Sequence, residues 1–294
     1  MDLKSPRNNK IWLIGDSLVS DAGRVYQLED ELGKGGNGVV FSVVESSSGD
    51  EFAAKILLVQ GVAAEKRFWQ EIKLLREICH NYLVRFIDSG TIEAALKIKV
   101  GEITEKASFP FVVMDKADSD LLKYLKSRDW HVDYENYAPQ FRGLASALAE
   151  LHKKAIHRDI KPENILVKGE TWLLSDLGLS VLTDDAERID VTQNNEVIGP
   201  RLWPSPESLN QSYKGCSNDI DTASDVYQLC AVFWLVLTGK HPLGQIKAAD
   251  FTPDDKTRVL FEKIVEALSY NKANRPADGE KLVRMLNEAT IERG

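Results

Sequence analysis

Two short polar segments in the middle of the chain carry the residue types that chemistry needs. The first is His157–Asn164, with the sequence HRDIKPEN, and the second is Asp176-Leu177-Gly178. Pro162 lacks a backbone N–H and disfavours a helical conformation at Lys161, so we predict a loop here. Carboxylate and amide oxygens that converge on one point suit a hard divalent cation and a proton acceptor. A polar surface loop closed by a proline is the alternative interpretation.

The residues that follow the first segment predict how these groups are positioned. Residues 165–167 and 173–174 are apolar and flank Lys168-Gly169-Glu170, which indicates a hairpin of two buried strands. Asp159 and Asn164 are then expected at one mouth of the hairpin. Asp176 is expected directly after its second strand.

This pattern resembles the catalytic and metal-binding loops of eukaryotic-type (Hanks-type) serine/threonine protein kinases. The resemblance implies an α+β, bilobal fold: a small antiparallel β-sheet N-lobe with one regulatory helix, and a larger, mainly helical C-lobe. It implies that Asp159 accepts the proton of the attacking hydroxyl and that Lys161 neutralises the transferred phosphoryl group. Asn164 and Asp176 would hold Mg²⁺ against the phosphates of ATP.

A glycine-rich segment near the N-terminus matches the same family. Gly33, Gly35 and Gly38 form G-x-G-x-x-G, and a turn without side chains can press its amides against phosphate oxygens. The next residues, 39–44, are apolar and β-branched, which predicts a strand where a dinucleotide-binding fold would have a helix. A flexible hairpin tip is the simpler interpretation of the glycines alone.

A lysine and a glutamate are predicted to form an ion pair. Strand alternation places Lys55 on one face with Ala53 and Leu57, where a buried ammonium needs an anionic partner. In the helix that follows, Glu71 borders an apolar stripe made by residues 68, 72, 75 and 79. The resemblance implies that Lys55 also contacts the α/β-phosphates. Either charge could instead be solvated on the surface.

The segment 111–117 resembles the linker between the two lobes. The resemblance implies that Met114 guards the back of the nucleotide pocket and that the backbone of 115–117 hydrogen-bonds adenine. Asp120 is the expected ribose contact, with Asp118 as an open alternative. The implied nucleotide-binding side chains and backbone groups outside the glycine-rich segment are Val40, Ala53, Lys55, Met114, Asp115, Ala117, Asp120 and Leu166.

Three later features also match the family. Ser205-Pro206-Glu207 resembles the end of an activation segment, and the resemblance implies that Arg275 pairs with Glu207 and that Asp225 braces the catalytic loop.

Thr183 and Thr192 are candidate phosphorylation sites, because Arg158 could receive a phosphate. Nearby acids could instead fill that position, or the loop could have no switching role. Pro200 stands where such kinases usually have a threonine.

We predict an N-terminal extension at 1–24, an N-lobe at 25–114, a hinge at 115–117 and a C-lobe at 118–294. Strands are expected at 82–87 and 109–115, with a charged, irregular hairpin excursion between them at 93–107. Among 294 residues the net charge is −8, which gives no sign of nucleic-acid binding. Three scattered cysteines suggest reduced thiols in a cytoplasmic protein, and neither a signal peptide nor a membrane span is expected.

The first functional hypothesis is an ATP- and magnesium-dependent kinase that phosphorylates serine or threonine in protein substrates. The family resemblance implies serine/threonine rather than tyrosine specificity, because Lys161 stands two places after Asp159 and tyrosine kinases usually lack a lysine there. The alternatives are a pseudokinase-like scaffold that binds nucleotide without transfer and a small-molecule phosphotransferase on the same fold.

Overall fold

The computed structural model describes residues 1–5, 10–35, 38–97, 103–183, 203–211, 220–242 and 257–291. The chain divides into two compact units. The first unit contains Met1–Glu77 and Arg85–Ala117, and the second contains Ile78–Val84 and Asp118–Gly294.

The first unit is built on an eight-stranded sheet with one helix, α1 (Val62–Glu77). The strands follow the spatial order β1-β2-β7-β8-β6-β5-β4-β3, and every neighbouring pair is antiparallel. Their bounds are β1 (Asp2–Lys4), β2 (Ile11–Leu13), β3 (Ser17–Val19), β4 (Val25–Lys34), β5 (Gly38–Glu45), β6 (Glu51–Leu57), β7 (Phe86–Lys97) and β8 (Ile103–Asp115).

Residues 1–24, predicted to be an extension, contribute three strands to this sheet. β2 pairs with β7, and β3 pairs with β4. Their apolar side chains enter one buried cluster with residues of β4 to β8, where the Trp12 and Phe109 rings meet edge to face at 5.1 Å. The core of the first unit therefore depends on residues from its N-terminal end.

The prediction for residues 82–107 is partly wrong. The expected strand at 82–87 begins only at Phe86, and the segment predicted as irregular continues β7 and β8 as a long antiparallel hairpin. Ile92 and Ala94 are buried, whereas Thr91 and Glu93, which alternate with them, are exposed. This alternation is typical of a strand with one solvated face. The charged residues on that face led to the prediction of an irregular segment.

The second unit is mainly helical in the part that the structure describes. Its helices are α2 (Leu121–Lys126), α3 (Tyr134–His152), α4 (Pro206–Gln211), α5 (Thr222–Thr238), α6 (Arg258–Ala267) and α7 (Gly279–Ile291). Two small sheets accompany them, β12-β11-β9 and β10-β13. These strands are β9 (Ser119–Asp120), β10 (Ala155–Ile156), β11 (Ile165–Lys168), β12 (Thr171–Leu174) and β13 (Val181–Leu182).

Helix α5 lies at the centre of this unit, as the run from Val226 to Leu237, which is apolar on nearly all faces, predicts. It begins at a capping box in which Asp221 and Ser224 satisfy each other's backbone N–H groups. It ends at Gly239, whose φ of 65° is the left-handed conformation that glycine adopts most easily. Phe233 stacks on Phe141 of α3 at 3.9 Å. None of the described helices is long and apolar enough to span a lipid bilayer.

Candidate active site

The three glycines of the G-x-G-x-x-G segment have different surroundings. A Cβ on Gly38 would lie 2.1 Å from the Ile56 carbonyl oxygen, because β5 runs directly against β6 there. A Cβ on Gly33 or Gly35 would meet nothing within 4 Å. Gly38 is therefore needed for strand packing, whereas Gly33 and Gly35 leave an open side that a ligand can approach. The two intervening residues, 36 and 37, lie outside the described part of the chain.

The structure brings Lys55 and Glu71 together. The Lys55 Nζ lies 2.7 Å from Glu71 Oε1 and 3.0 Å from Oε2. The Glu71 side chain is 3% exposed and that of Lys55 18%, so the pair is largely withdrawn from water. A buried carboxylate without such a partner would be strongly destabilising, so the pair joins α1 to β6.

The expected adenine contacts cluster on the same face of the sheet as Lys55. Val40 pairs with Lys55 across β5 and β6, and Ala53 pairs with Met114 across β6 and β8. Ala53 and Met114 are buried and Val40 is half-buried. The three side chains therefore offer a small apolar surface beside an ammonium group.

Two backbone amides of the linker, those of Asp115 and Ala117, differ in whether they already have a hydrogen-bond acceptor. The Asp115 amide already donates to the Arg85 carbonyl at 3.2 Å. Among the described residues, no backbone acceptor is found for the Ala117 amide. Ala117 is therefore the better donor for a ligand, whereas Asp115 forms an ion pair with Arg85 at 3.0 Å.

In the second unit, the polar loop and the hairpin form as predicted. Residues 162–164 make one 3₁₀ turn, and β11 and β12 pair in antiparallel register from Ile165–Leu174 to Lys168–Thr171. The Ser175 amide and hydroxyl both donate to the Asn164 carbonyl at 2.9 Å. This contact ties the end of β12, and hence Asp176, to the loop that carries Asn164.

Asp159, Lys161 and Asn164 form one hydrogen-bonded cluster. Lys161 Nζ and Asn164 Nδ2 both donate to Asp159 Oδ2 at 2.9 Å. Asn164 Nδ2 also donates to the Asp159 carbonyl at 2.8 Å. Burial raises the pKa of the Asp159 carboxyl group, and the negative charge of Asp176 adds to this, whereas Lys161 and His157 act in the opposite direction.

The oxygens of Asn164 and Asp176 fit a divalent cation. Both hydrogen bonds of the Asn164 side chain use its nitrogen, so the carbonyl oxygen is the atom that remains for a metal. Asp176 has a left-handed backbone with φ 59°, a conformation that is uncommon for a residue other than glycine and that often occurs at functional sites. Within the described residues no group of three or more His, Cys, Asp or Glu is arranged for a metal. Two protein ligands with substrate phosphates are the usual environment of Mg²⁺.

Two buried residues of α5 hold the backbone of the loop. Asp225 accepts from the amides of His157 at 2.6 Å and Arg158 at 2.8 Å, as the family resemblance implies. Gln228 accepts from the Ile160 amide at 3.0 Å and donates to the Arg158 carbonyl at 3.3 Å. Arg158 itself has a left-handed φ of 71°, which these contacts maintain.

Sequence reasoning missed Gln228 and also His152. His152 Nε2 lies 3.0 Å from Asp225 Oδ2, and its Nδ1 accepts from the Gly279 amide at 3.0 Å. The available signal for Gln228 was a polar residue within the mostly apolar run from Val226 to Leu237. No local pattern marks His152, because its partners are distant in the chain.

The two candidate ribose contacts have local structural partners. The Asp120 side chain caps α2 by accepting from the Lys123 amide at 2.8 Å. Asp120 also pairs with Leu166 between strands β9 and β11. Asp118 accepts from the Gly169 amide at 2.7 Å. The structure thus places Asp120 beside Leu166. Both residues are predicted to contact the nucleotide.

The end of the expected activation segment is anchored by a buried fork. Arg275 Nη1 and Nη2 lie 2.9 and 3.1 Å from Glu207 Oε1 and Oε2, respectively. Burial pushes the pKa of Glu207 upward, but hydrogen bonds from Arg275 and Ser224 outweigh it and lower the pKa below its ordinary value. Thr183 is exposed, and Thr192 and Pro200 lie outside the described residues.

Comparison with known proteins agrees with this geometry. A sequence model of the protein kinase domain matches residues 26–292. The chain is 30% identical to the serine/threonine-protein kinase pkn2 of Myxococcus xanthus over 94% of this chain and 34% of that protein. It is 26% identical to pkn3 of the same organism over 91% of this chain and 50% of that protein.

A eukaryotic relative is similar over a comparable stretch. The serine/threonine-protein kinase cds1 of Schizosaccharomyces pombe is 27% identical over 79% of this chain and 49% of that protein. The chain thus spans between a third and a half of the length of these relatives. With the family match covering nearly all of its residues, the chain belongs to the protein kinase domain family.

Proposed function

We propose that the protein transfers the γ-phosphate of ATP to serine or threonine hydroxyls of protein substrates. The observation that carries this proposal is the Asp159–Lys161–Asn164 cluster, in which a buried carboxylate is held by two donors. Relatives named as serine/threonine kinases, and Lys161 beside Asp159, support this acceptor class.

Asp159 and Lys161 have distinct roles in the proposed reaction. Asp159 accepts the proton of the substrate hydroxyl, whose oxygen attacks the γ-phosphorus while the bond to the β–γ bridging oxygen breaks and ADP leaves. Lys161 neutralises charge on the transferred group. Such a transfer needs mainly positioning and charge stabilisation, which rigid cationic and acceptor groups supply.

Other residues are assigned to nucleotide and metal. Lys55, oriented by Glu71, would contact the α/β-phosphates, and Asn164 and Asp176 would hold Mg²⁺, which neutralises phosphate charge when bound. Val40, Ala53, Met114 and Leu166 would line the adenine site. The Ala117 amide would donate to the base.

Three finer assignments belong to the same proposal. The amides around Gly33, Gly35 and Gly38 would contact the phosphates, and Asp120 would contact the ribose. Autophosphorylation, with Thr183 or Thr192 as acceptor, would be one of the reactions. We place the activity in the cytoplasm, because the described cysteines, Cys79 and Cys230, are free thiols, as in reducing compartments.

The experiment that tests the proposal is transfer of label from γ-labelled ATP to a generic basic protein in the presence of Mg²⁺. Asp159→Asn keeps the size of the side chain but removes the proton acceptor, and we expect it to lower kcat by about 100-fold or more. Lys153→Gln, an exposed lysine paired with Glu150, is the control and should leave kcat unchanged. Tight binding of MgATP without transfer by the unsubstituted protein would instead indicate a nucleotide-binding scaffold.

A further inference from the structure

The N-terminal residues that precede the family match are attached to β7 by an arginine. Arg24 Nε donates to Asp88 Oδ2 at 2.9 Å, and its NH2 donates to the Ile87 carbonyl at 2.8 Å. The Tyr26 hydroxyl donates to the same Asp88 oxygen at 3.2 Å. Burial and the charge of Asp88 raise the pKa of Tyr26 far above its ordinary value, so the hydroxyl keeps its proton and remains a donor.

The segment just before Arg24 lies against the next residues of β7. The Asp21 amide donates to the Ser89 carbonyl at 2.8 Å, and the Ser89 hydroxyl lies 3.4 Å from Asp21 Oδ2. A Cβ on Gly90 would lie 3.0 Å from the Val19 carbonyl oxygen. A glycine at position 90 therefore permits β3 to approach β7 this closely. We call the segment Ser20–Arg24 the N-terminal latch.

Helix α1 is anchored at the same point of β7. Arg76 NH2 donates to the Ser89 hydroxyl oxygen at 3.0 Å, and the Arg76 guanidinium lies 5.0 Å from the centre of the Phe86 ring. Ser89 is fully buried, so its hydroxyl is confined to these partners. One oxygen thus accepts from α1 and donates to the latch.

Arg76 lies on the helix that carries Glu71. The two residues are five positions apart, which is about 7.5 Å along the axis of an α-helix. The apolar contacts of α1 through Phe68, Ile72 and Leu75 select the face of the helix that is buried, but they are non-directional and set its rotation only coarsely. A directional hydrogen bond at the last turn can specify it.

We propose that the latch, Ser89 and Arg76 position α1 so that Glu71 meets Lys55. The latch, residues 20–24, lies outside the matched kinase domain and would then control the ion pair through α1. Ser89 and Arg76 are positioning residues, since neither is assigned a contact with nucleotide or substrate. The catalytic consequence rests on the proposed function, in which the Lys55–Glu71 pair must be in place for transfer.

The test compares variants of the full chain. Ser89→Ala removes the shared oxygen, and Arg76→Gln removes the charge of the donor. Both should lower kcat/KM for MgATP by about 3- to 10-fold, the usual effect of losing one ordinary hydrogen bond. Arg76→Lys keeps a cationic donor and should retain most of the activity. Lys10→Gln, which breaks the Lys10–Glu105 pair elsewhere in the N-terminal residues, is the matched control and should have no effect.

A second arm asks whether the effect passes through Glu71. In the Glu71→Gln background, adding Ser89→Ala should change kcat/KM by less than about twofold, because the two changes would remove the same arrangement. An equal loss in both backgrounds would overturn the proposal. Thermal melting of each variant reveals any general loss of folding.

A third arm does not depend on catalysis. Hydrogen–deuterium exchange of the α1 amides should accelerate in Ser89→Ala and Arg76→Gln but not in Lys10→Gln. Unchanged α1 exchange and unchanged MgATP affinity in the first two variants would also overturn the proposal. If the unsubstituted protein transferred no phosphate, the proposed function would fail, while exchange and affinity would still report on the contacts of Ser89 and Arg76 that position α1.

Discussion

Asp159 lies in surroundings that favour its neutral form more than water does. Burial is the main reason, and the charge of Asp176 adds to it, while Lys161 lowers the pKa. A protonated carboxyl group cannot accept the proton of a substrate hydroxyl. Activity should therefore rise with pH as the group ionises, at a pH above the range of an ordinary aspartate.

This leads to a prediction about Lys161. Lys161→Met removes the ammonium that stabilises the ionised Asp159, so the acid limb of the kcat/KM profile should move to higher pH. The measurement is the pH dependence of phosphate transfer. Lys153→Met, on the surface, should leave the limb in place. An acid limb that stayed fixed or moved to lower pH in Lys161→Met would contradict the assignment of the limb to Asp159.

The elements of the first unit depend on strands that come from both ends of its sequence. β2 lies beside β7, and the Trp12 side chain, 1% exposed, fills the cluster between β2 and the strands around it. Aromatic side chains contribute more buried area than other residues. The loss of this ring should therefore affect the whole sheet.

We predict that Trp12→Ala lowers the free energy of unfolding by about 3–5 kcal/mol. Trp69 of α1 is 41% exposed, and Trp69→Ala should cost less than about 1 kcal/mol. Urea unfolding followed by circular dichroism measures both. Similar losses for the two tryptophans would mean that β2 is not part of the stable sheet.

At the scale of the whole chain, each unit has its own core and its own long-range contacts. In the second unit, Arg275 binds Glu207, donates to the Ser269 and Tyr270 carbonyls at 2.6 and 2.9 Å, and lies 4.8 Å from the Tyr227 ring centre. This one side chain joins α4, α5 and the segment before α7. Breaking a buried ion pair on one side leaves an uncompensated charge.

Arg275→Met should therefore lower the free energy of unfolding at neutral pH by about 3–5 kcal/mol. Because the folded-state pKa of Glu207 is lowered, its stabilisation is present above the ordinary glutamate pKa and is lost as pH falls through the lowered value. Arg275→Met should lack that part of the acid dependence. Denaturant unfolding at several pH values tests this, and a variant with an unchanged pH profile would argue against the ion pair.

Several features of this protein follow from short stretches of sequence. The loop at 157–164, the hairpin after it, and the faces of Lys55 and Glu71 depend on proline, on turn residues and on periods of 2 and 3.6. These signals extend over a few residues, so they can be recognised without knowledge of the fold. The family resemblance adds the roles of Asp225 and Arg275, whose partners are each 68 residues away at His157 and Glu207.

Other features required the folded chain. The pairing of β2 with β7, the latch on Ser89, and the contacts of His152 and Gln228 join residues that are far apart in sequence. No local period encodes which distant strand or amide a residue will meet, because such pairings are selected by burial and hydrogen bonding of the complete unit. The chemistry could thus be predicted from a few neighbouring side chains, whereas the supports that hold it in place emerged only when the whole chain was packed.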